Sequence, residues 1–124
     1  MIVAGVGCRR DCPAEEVVAL VRRALAIARC EASALAVPAF RADEPGPRLA
    51  AKALQLPLAI VDGAALAAAQ PRCLTHSTRA AEATGFASVA EAAALAAAGP
   101  GATLLLPRIA GTRATCALAR ANAP

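Results

Sequence analysis

The order of the first 28 residues constrains this chain most, because a short apolar run passes through a glycine turn into a long helical pattern. Ile2 to Val6 is short, rich in β-branched residues and bounded by Gly5 and Gly7, which predicts a buried strand. Pro13 then occupies a helix start, with Glu15 and Glu16 in the first turn, where carboxylates complement the helix dipole. Val17, Val21, Ala24, Leu25 and Ala28 recur at three- and four-residue spacing and form one apolar stripe. A buried strand followed at once by an amphipathic helix is the opening unit of an α/β fold.

The rest of the chain continues the alternation. Leu35 to Ala39 and Leu58 to Val61 read as further short strands. Between them, prolines and a glycine at positions 45 to 47 suggest a loop before helical character from Arg48 to Leu56. Asp62 is placed to cap a helix over Gly63 to Gln70. Pro71 to Arg79 is polar and turn-like. Ser88-Val89-Ala90-Glu91 has the spacing of a capping box, opening a helix that Gly99-Pro100-Gly101 ends. Ala102 to Leu106 and Thr115 to Leu118 are two more strands, joined by the loop Pro107 to Arg113, and so short a link makes them antiparallel neighbours. The expected architecture is a three-layer α/β/α sandwich on a mixed, about five-stranded sheet that ends in an antiparallel hairpin. At 124 residues the chain is one domain.

Composition removes several function classes. The hydrophobic fraction is 58%, but alanine supplies much of it, and no uncharged apolar stretch of about 18 residues occurs. With no membrane span and no basic leader, the expected compartment is the cytoplasm. The alanine excess is spread over the helices and reads as genome composition more than function. The net charge of +4 admits an anionic partner, yet two phenylalanines are the only aromatic residues. Nucleic-acid stacking platforms are therefore missing, and no dense basic helix offers a duplex site. Five cysteines, at 8, 12, 30, 73 and 116, follow no zinc spacing and read as small apolar residues. No metal site is expected.

Ligands of α/β sheets gather at the carboxyl ends of parallel strands. Four polar loops belong at or near that end: Gly7 to Cys12, Arg41 to Gly46, Thr75 to Thr78 and Pro107 to Arg113. The first joins glycines, the guanidinium groups of Arg9 and Arg10, and the free N–H groups of a helix start, a combination suited to anions. The alternative is that both arginines are solvated or pair with Asp11 or Glu15. Gly5-Val6-Gly7 matches only the start of a dinucleotide fingerprint, since Arg10 stands where the third glycine belongs, and no Gly-Lys-Ser/Thr triplet of a P-loop exists. No cofactor is expected. Asp43 and Glu44, beside Arg41, are either an acid–base pair or a turn with a helix cap. His76, between Thr75 and Ser77, either pairs with Cys8 or Asp43 as nucleophile and base or sits in a hydroxyl-rich surface turn. Thr112 and Thr115 either bind ligand oxygens or end strands.

Taken together, four blocks carry a family resemblance. Gly5-Val6-Gly7-Cys8-Arg9-Arg10, with the glutamate pair after it, resembles the opening of the CobE/CbiG C-terminal domain family of cobalamin biosynthesis. Arg41-Ala42-Asp43-Glu44-Pro45-Gly46 resembles its lysine-alanine-aspartate-glutamate segment. Thr84-Gly85 with Ser88 to Leu95 resembles its helix signature, and Leu106-Pro107-Arg108 with Gly111 and Thr115 to Ala119 its closing hairpin. Arg41 and Arg108 stand where that family commonly has lysine, and Asp11-Cys12 replaces a glycine and a hydroxyl residue. The chain resembles the stand-alone, CobE-like form, not the longer CbiG proteins.

The resemblance implies a vitamin B12 pathway protein whose partner is a corrinoid or precorrin intermediate, a tetrapyrrole edged with acetates and propionates. Its expected binding residues are Gly7, Cys8, Arg9, Arg10, Arg41, Asp43, Glu44, Thr75, Ser77, Arg108, Gly111 and Thr112. Three activities are compatible with it. The first is a carrier of a hydrogenobyrinic acid-type intermediate. The second is a CbiG-like hydrolase of a precorrin lactone, with Asp43, Glu44 or His76 as the acting group. The third is an accessory subunit of a corrin-pathway methyltransferase or another pathway enzyme.

Overall fold

The computed structural model describes residues 1–122. Strand β1 (Ile2–Cys8) leads through α1 (Ala14–Ala28) to β2 (Ala34–Pro38), and α2 (Pro45–Leu54) leads to β3 (Leu58–Val61). Helices α3 (Gly63–Ala69), α4 (Thr78–Thr84) and α5 (Ala90–Ala98) follow, and then the hairpin of β4 (Thr103–Ala110) and β5 (Ala114–Arg120). The sheet order is β3-β2-β1-β5-β4. β1, β2 and β3 pair in parallel, while β5 runs antiparallel to both β1 and β4. β4 therefore points the same way as β1. The hairpin turn and the carboxyl ends of all three parallel strands share one edge of the molecule.

Alternation along the strands builds two cores. Ala4, Val6, Cys116 and Leu118 face one side and pack with Val17, Leu20 and Val21 of α1 and Ala50 and Ala51 of α2. Val3, Ala36 and Ala119 face the other and pack with Leu66 of α3 and with Ala92, Ala94 and Leu95 of α5. Both faces of the sheet are covered, so the three-layer α/β/α sandwich with a mixed five-stranded sheet is what forms. No helix among the described residues is long and apolar enough to cross a membrane.

Element boundaries follow local chemistry, with departures from the reading of the sequence at α2, α4 and β4. Arg29, with φ 54°, closes α1 as Cys30 N–H donates to the Leu25 carbonyl at 3.1 Å. Asp62 caps α3, accepting from Ala65 N–H at 2.8 Å. The first departure is that α2 begins at Pro45, not Arg48. Its prolines lie in the first turn, where a missing N–H leaves no bond unmade. The second is α4, which occupies part of the expected irregular stretch. Ser77 Oγ accepts from Ala80 N–H at 3.1 Å, and Gly85, at φ 83°, ends the helix after seven residues. The third is that β4 runs on to Ala110, which shortens the expected loop to residues 111–113. Pro107 is tolerated because β4 is an edge strand with irregular register there.

The alanines of α5 do more than fill space. Seven of its nine residues are buried, and a Cβ placed on Gly5 would lie 2.1 Å from the Ala90 carbonyl oxygen and 2.6 Å from Ala94 N. Helix and strand thus meet nearly backbone to backbone. Larger side chains along α5 would hold it off the sheet.

Candidate functional site

A cleft of about 250 Å³ opens at the carboxyl end of β1. The end of β1 supplies Gly7, Cys8 and Arg9, and the turn after β2 supplies Phe40 and Arg41. The β4–β5 hairpin gives Arg108, Gly111, Thr112 and Arg113. Ser77, Arg79, Ala80, Ala83 and Thr84, of α4 and its cap, form a wall that continues through Ala87 to Val89. Among the described residues, five arginines line this space and no acidic side chain does. Since the whole chain has nine carboxylates among thirteen basic residues, that segregation sets the sign of any ligand.

Different bonds position the arginines. The Arg41 Nε–H donates to the Cys8 carbonyl at 3.0 Å, and its guanidinium lies 5.1 Å from the Phe40 ring centre. Phe40 in turn stacks on Phe86, with planes 3° apart and centres separated by 6.3 Å. Phe40 thus lies between this cation and Phe86, which packs on the core. Arg9 N–H donates to the Arg113 carbonyl at 2.9 Å, tying the first loop to the hairpin. Glu16, in the first turn of α1, receives both the backbone N–H and the Nε–H of Arg113, the latter at 3.2 Å. Glu16 neutralises Arg113 and pins the turn. Among the described residues, no hydrogen bond or ion pair holds the side chain of Arg9, Arg79 or Arg108, which leaves them available to a ligand.

Beneath the cleft lies the best-connected acid of the fold. Glu91 is fully buried, yet its carboxylate accepts from Leu74 N–H at 2.8 Å, Thr75 N–H at 2.9 Å and Arg108 N–H at 2.9 Å. Burial pushes its pKa upward, but the N–H groups of Arg108, Thr75 and Leu74 outweigh burial and hold it below the ordinary carboxylate value. This corrects the capping-box expectation. Ser88 Oγ reaches Glu91 at 3.4 Å, but Val89 is the cap position and makes no side-chain cap bond. Glu91 turns away from its own helix to join β4 with the segment that leads into α4. Gln70 braces the other stem, accepting from Ser88 N–H at 3.1 Å and donating to the Ser88 carbonyl at 2.8 Å.

The structure gathers most, but not all, of the residues expected from the sequence. Gly7, Cys8, Arg9, Arg41, Ser77, Arg108, Gly111 and Thr112 share the cleft. Thr115 joins them, its hydroxyl donating to the Gly7 carbonyl at 3.4 Å. Arg10, Asp43, Glu44, Thr75 and His76 do not line it. Asp43 is exposed and lies 3.9 Å from Arg48, while Glu44 accepts from Asp11 N–H at 2.7 Å and steadies the first loop. Thr75 gives its backbone N–H to Glu91 at 2.9 Å outside the lining, and His76 is exposed. Cys8 is no ready nucleophile. Burial, with Cys12 beside it, pushes its thiol up to about 11 despite the nearby Arg41. Arg79, Arg113 and Phe40 are cleft residues the sequence did not single out. The Ser77 cap and Gly85 terminator were the available signals for Arg79.

A family model described as cobalamin synthesis G C-terminus matches residues 2–119. The chain belongs to that family. Protein CobE from Sinorhizobium sp is 42% identical over 121 residues, spanning 95% of this chain and 79% of its own length. Among solved structures, CobE, a protein from the cobalamin (vitamin B12) biosynthetic pathway, superposes with a TM-score of 0.90 at 43% identity. That match covers 97% of this chain and 89% of the other. Cobalamin biosynthesis protein chiG from Agrobacterium tumefaciens str. C58 follows with a TM-score of 0.81 at 38% identity, over 99% of this chain and 100% of its own. The protein is therefore a cobalamin biosynthesis protein of the CobE and CbiG C-terminal type.

Proposed function

We propose that the cleft binds a corrin-pathway intermediate of the hydrogenobyrinic acid type by its peripheral carboxylates, and that the protein carries this intermediate without transforming it. The observation that carries the reading is the cleft lining itself: five arginines, of which only Arg113 is paired with a carboxylate among the described residues, no acid in the lining, and an apolar wall of Ala80, Ala83, Ala87 and Val89. Guanidinium forks suit acetate and propionate arms, and the apolar wall suits the ring between them. A hydrolase would need an acid–base group against the ligand, and Asp43, Glu44 and His76 all stand outside the lining. Cys8, which is inside, keeps its proton near neutral pH.

The test is a titration of the protein with hydrogenobyrinic acid followed by visible absorption. Binding should shift the pigment's bands with no consumption over hours. Arg9→Ala and Arg108→Ala should each weaken binding by about tenfold, since a charge-assisted bond contributes about 1.5–3 kcal/mol and these groups are partly solvated. The loss should shrink as salt rises. Unperturbed bands, or affinity unchanged in both variants, would remove the cleft as the binding site. Steady loss of pigment that stops in Asp43→Asn or Glu44→Gln would replace the carrier with an enzyme.

A further inference from the structure

We infer that the cleft grips its ligand by one edge, so that one five-membered ring with its acidic arms enters and the remaining rings stay in solvent. The inference rests on the ligand class proposed above and concerns how much of that ligand the protein covers. The space available is about 250 Å³, below the roughly 300–1,000 Å³ of pockets that bury most of a drug-sized molecule. A tetrapyrrole with its carboxylate arms is larger than such a molecule. One side of the space is the α4 wall, and that wall is fastened at its stems. Ser77 N–H donates to the Ala87 carbonyl at 2.7 Å, which closes the neck of the 77–87 arch. Glu91 fixes the incoming stem through Leu74 and Thr75, and Gln70 fixes the outgoing one at Ser88. The arch itself buries no residue of α4. It stands over the sheet end as a braced wall, with Ala80 and Ala83 toward the cleft. A small slot with a fixed wall and cations at its mouth takes the rim of a large ring, not its whole body.

Quenching of the bound pigment's emission by acrylamide, a neutral solute, tests this in the wild-type protein with metal-free hydrogenobyrinic acid. An enclosing pocket removes about 70–90% of a ligand's surface from solvent, whereas an edge grip leaves most of it open. The expected quenching constant of the bound pigment is more than about half that of the free pigment. A lower constant would overturn the inference and show that the arch swings out and encloses the ring, with the carrier reading intact. No band shift on mixing would overturn the ligand reading as well. The two failures are therefore distinguished by whether the pigment binds before the quencher is added.

Discussion

Replacing Glu91 is the sharpest test of how the cleft is held together. Glu91→Ala strips the acceptor from three backbone N–H groups, those of Leu74, Thr75 and Arg108. A buried donor left unpaired costs about 1–3 kcal/mol. Leu74 is 66% exposed, so water can reach that segment, and its two donors fall at the low end. Arg108 N–H lies over buried α5 and falls in the middle of the range. The sum is about 4 kcal/mol, a large part of the roughly 5–15 kcal/mol that holds a domain together. At about 4 °C per kcal/mol for a chain of this size, Tm should fall by about 15 °C.

Glu91→Gln refines the test. The amide keeps one acceptor oxygen and turns an NH₂ group toward the donors on the other side, so it can serve Arg108 or the Leu74–Thr75 pair but not both. A loss of about 2 kcal/mol is expected, read by urea unfolding. Amide exchange should show lost protection at only one of the two places. The acid limb gives the sign. The folded-state pKa of Glu91 is lowered from its ordinary 4.5, so its contribution is complete above that value and disappears as pH falls through the folded pKa. The stability gap between wild type and Glu91→Gln should therefore close with acid. Wild-type protection at all three amides in Glu91→Ala, or a gap that widens below pH 4.5, would refute the reasoning.

Three further outcomes are expected. Gly5→Ala places a methyl against the Ala90 carbonyl and should cost about 3 kcal/mol or more by forcing α5 off the sheet; a urea midpoint within error of wild type would contradict the backbone-to-backbone contact. Arg10→Ala, outside the cleft, should leave hydrogenobyrinic acid affinity unchanged while Arg108→Ala weakens it, as titration of both variants will show. Cys8, with its thiol raised to about 11, should alkylate slowly at pH 8 in the native protein and faster as pH climbs; rapid labelling of Cys8 at pH 8, seen by peptide mass spectrometry, would contradict the half-buried, protonated thiol.

What could be read from the sequence follows the range of the interactions. The β1–α1 opening, the Asp62 cap and the closing hairpin depend on neighbours a few residues away, and local spacing reveals them. α4 also carries local signals, but seven residues give too little periodicity to outweigh a polar composition. The prolines of α2 look like loop residues because position within a helix, not proline content, decides their effect. Glu91 misleads for a subtler reason. Its spacing from Ser88 fits a capping box, and only the distant arrival of Arg108 and Leu74 gives the carboxylate better donors. The Glu16–Arg113 contact spans 97 positions in the chain, and no local pattern announces it. Arg9 and Arg10 are alike in sequence, but only Arg9 is turned into the cleft by the β1–hairpin pairing.

The close seat of α5 on β1 means that the arginine-lined rim has a foundation with no slack. Any methyl added where strand and helix touch must tilt the rod that carries Glu91, and with it the anchor points of Arg108 and of the arch. Substitutions at residues that the proposed ligand would never meet should thus retune how strongly it is held.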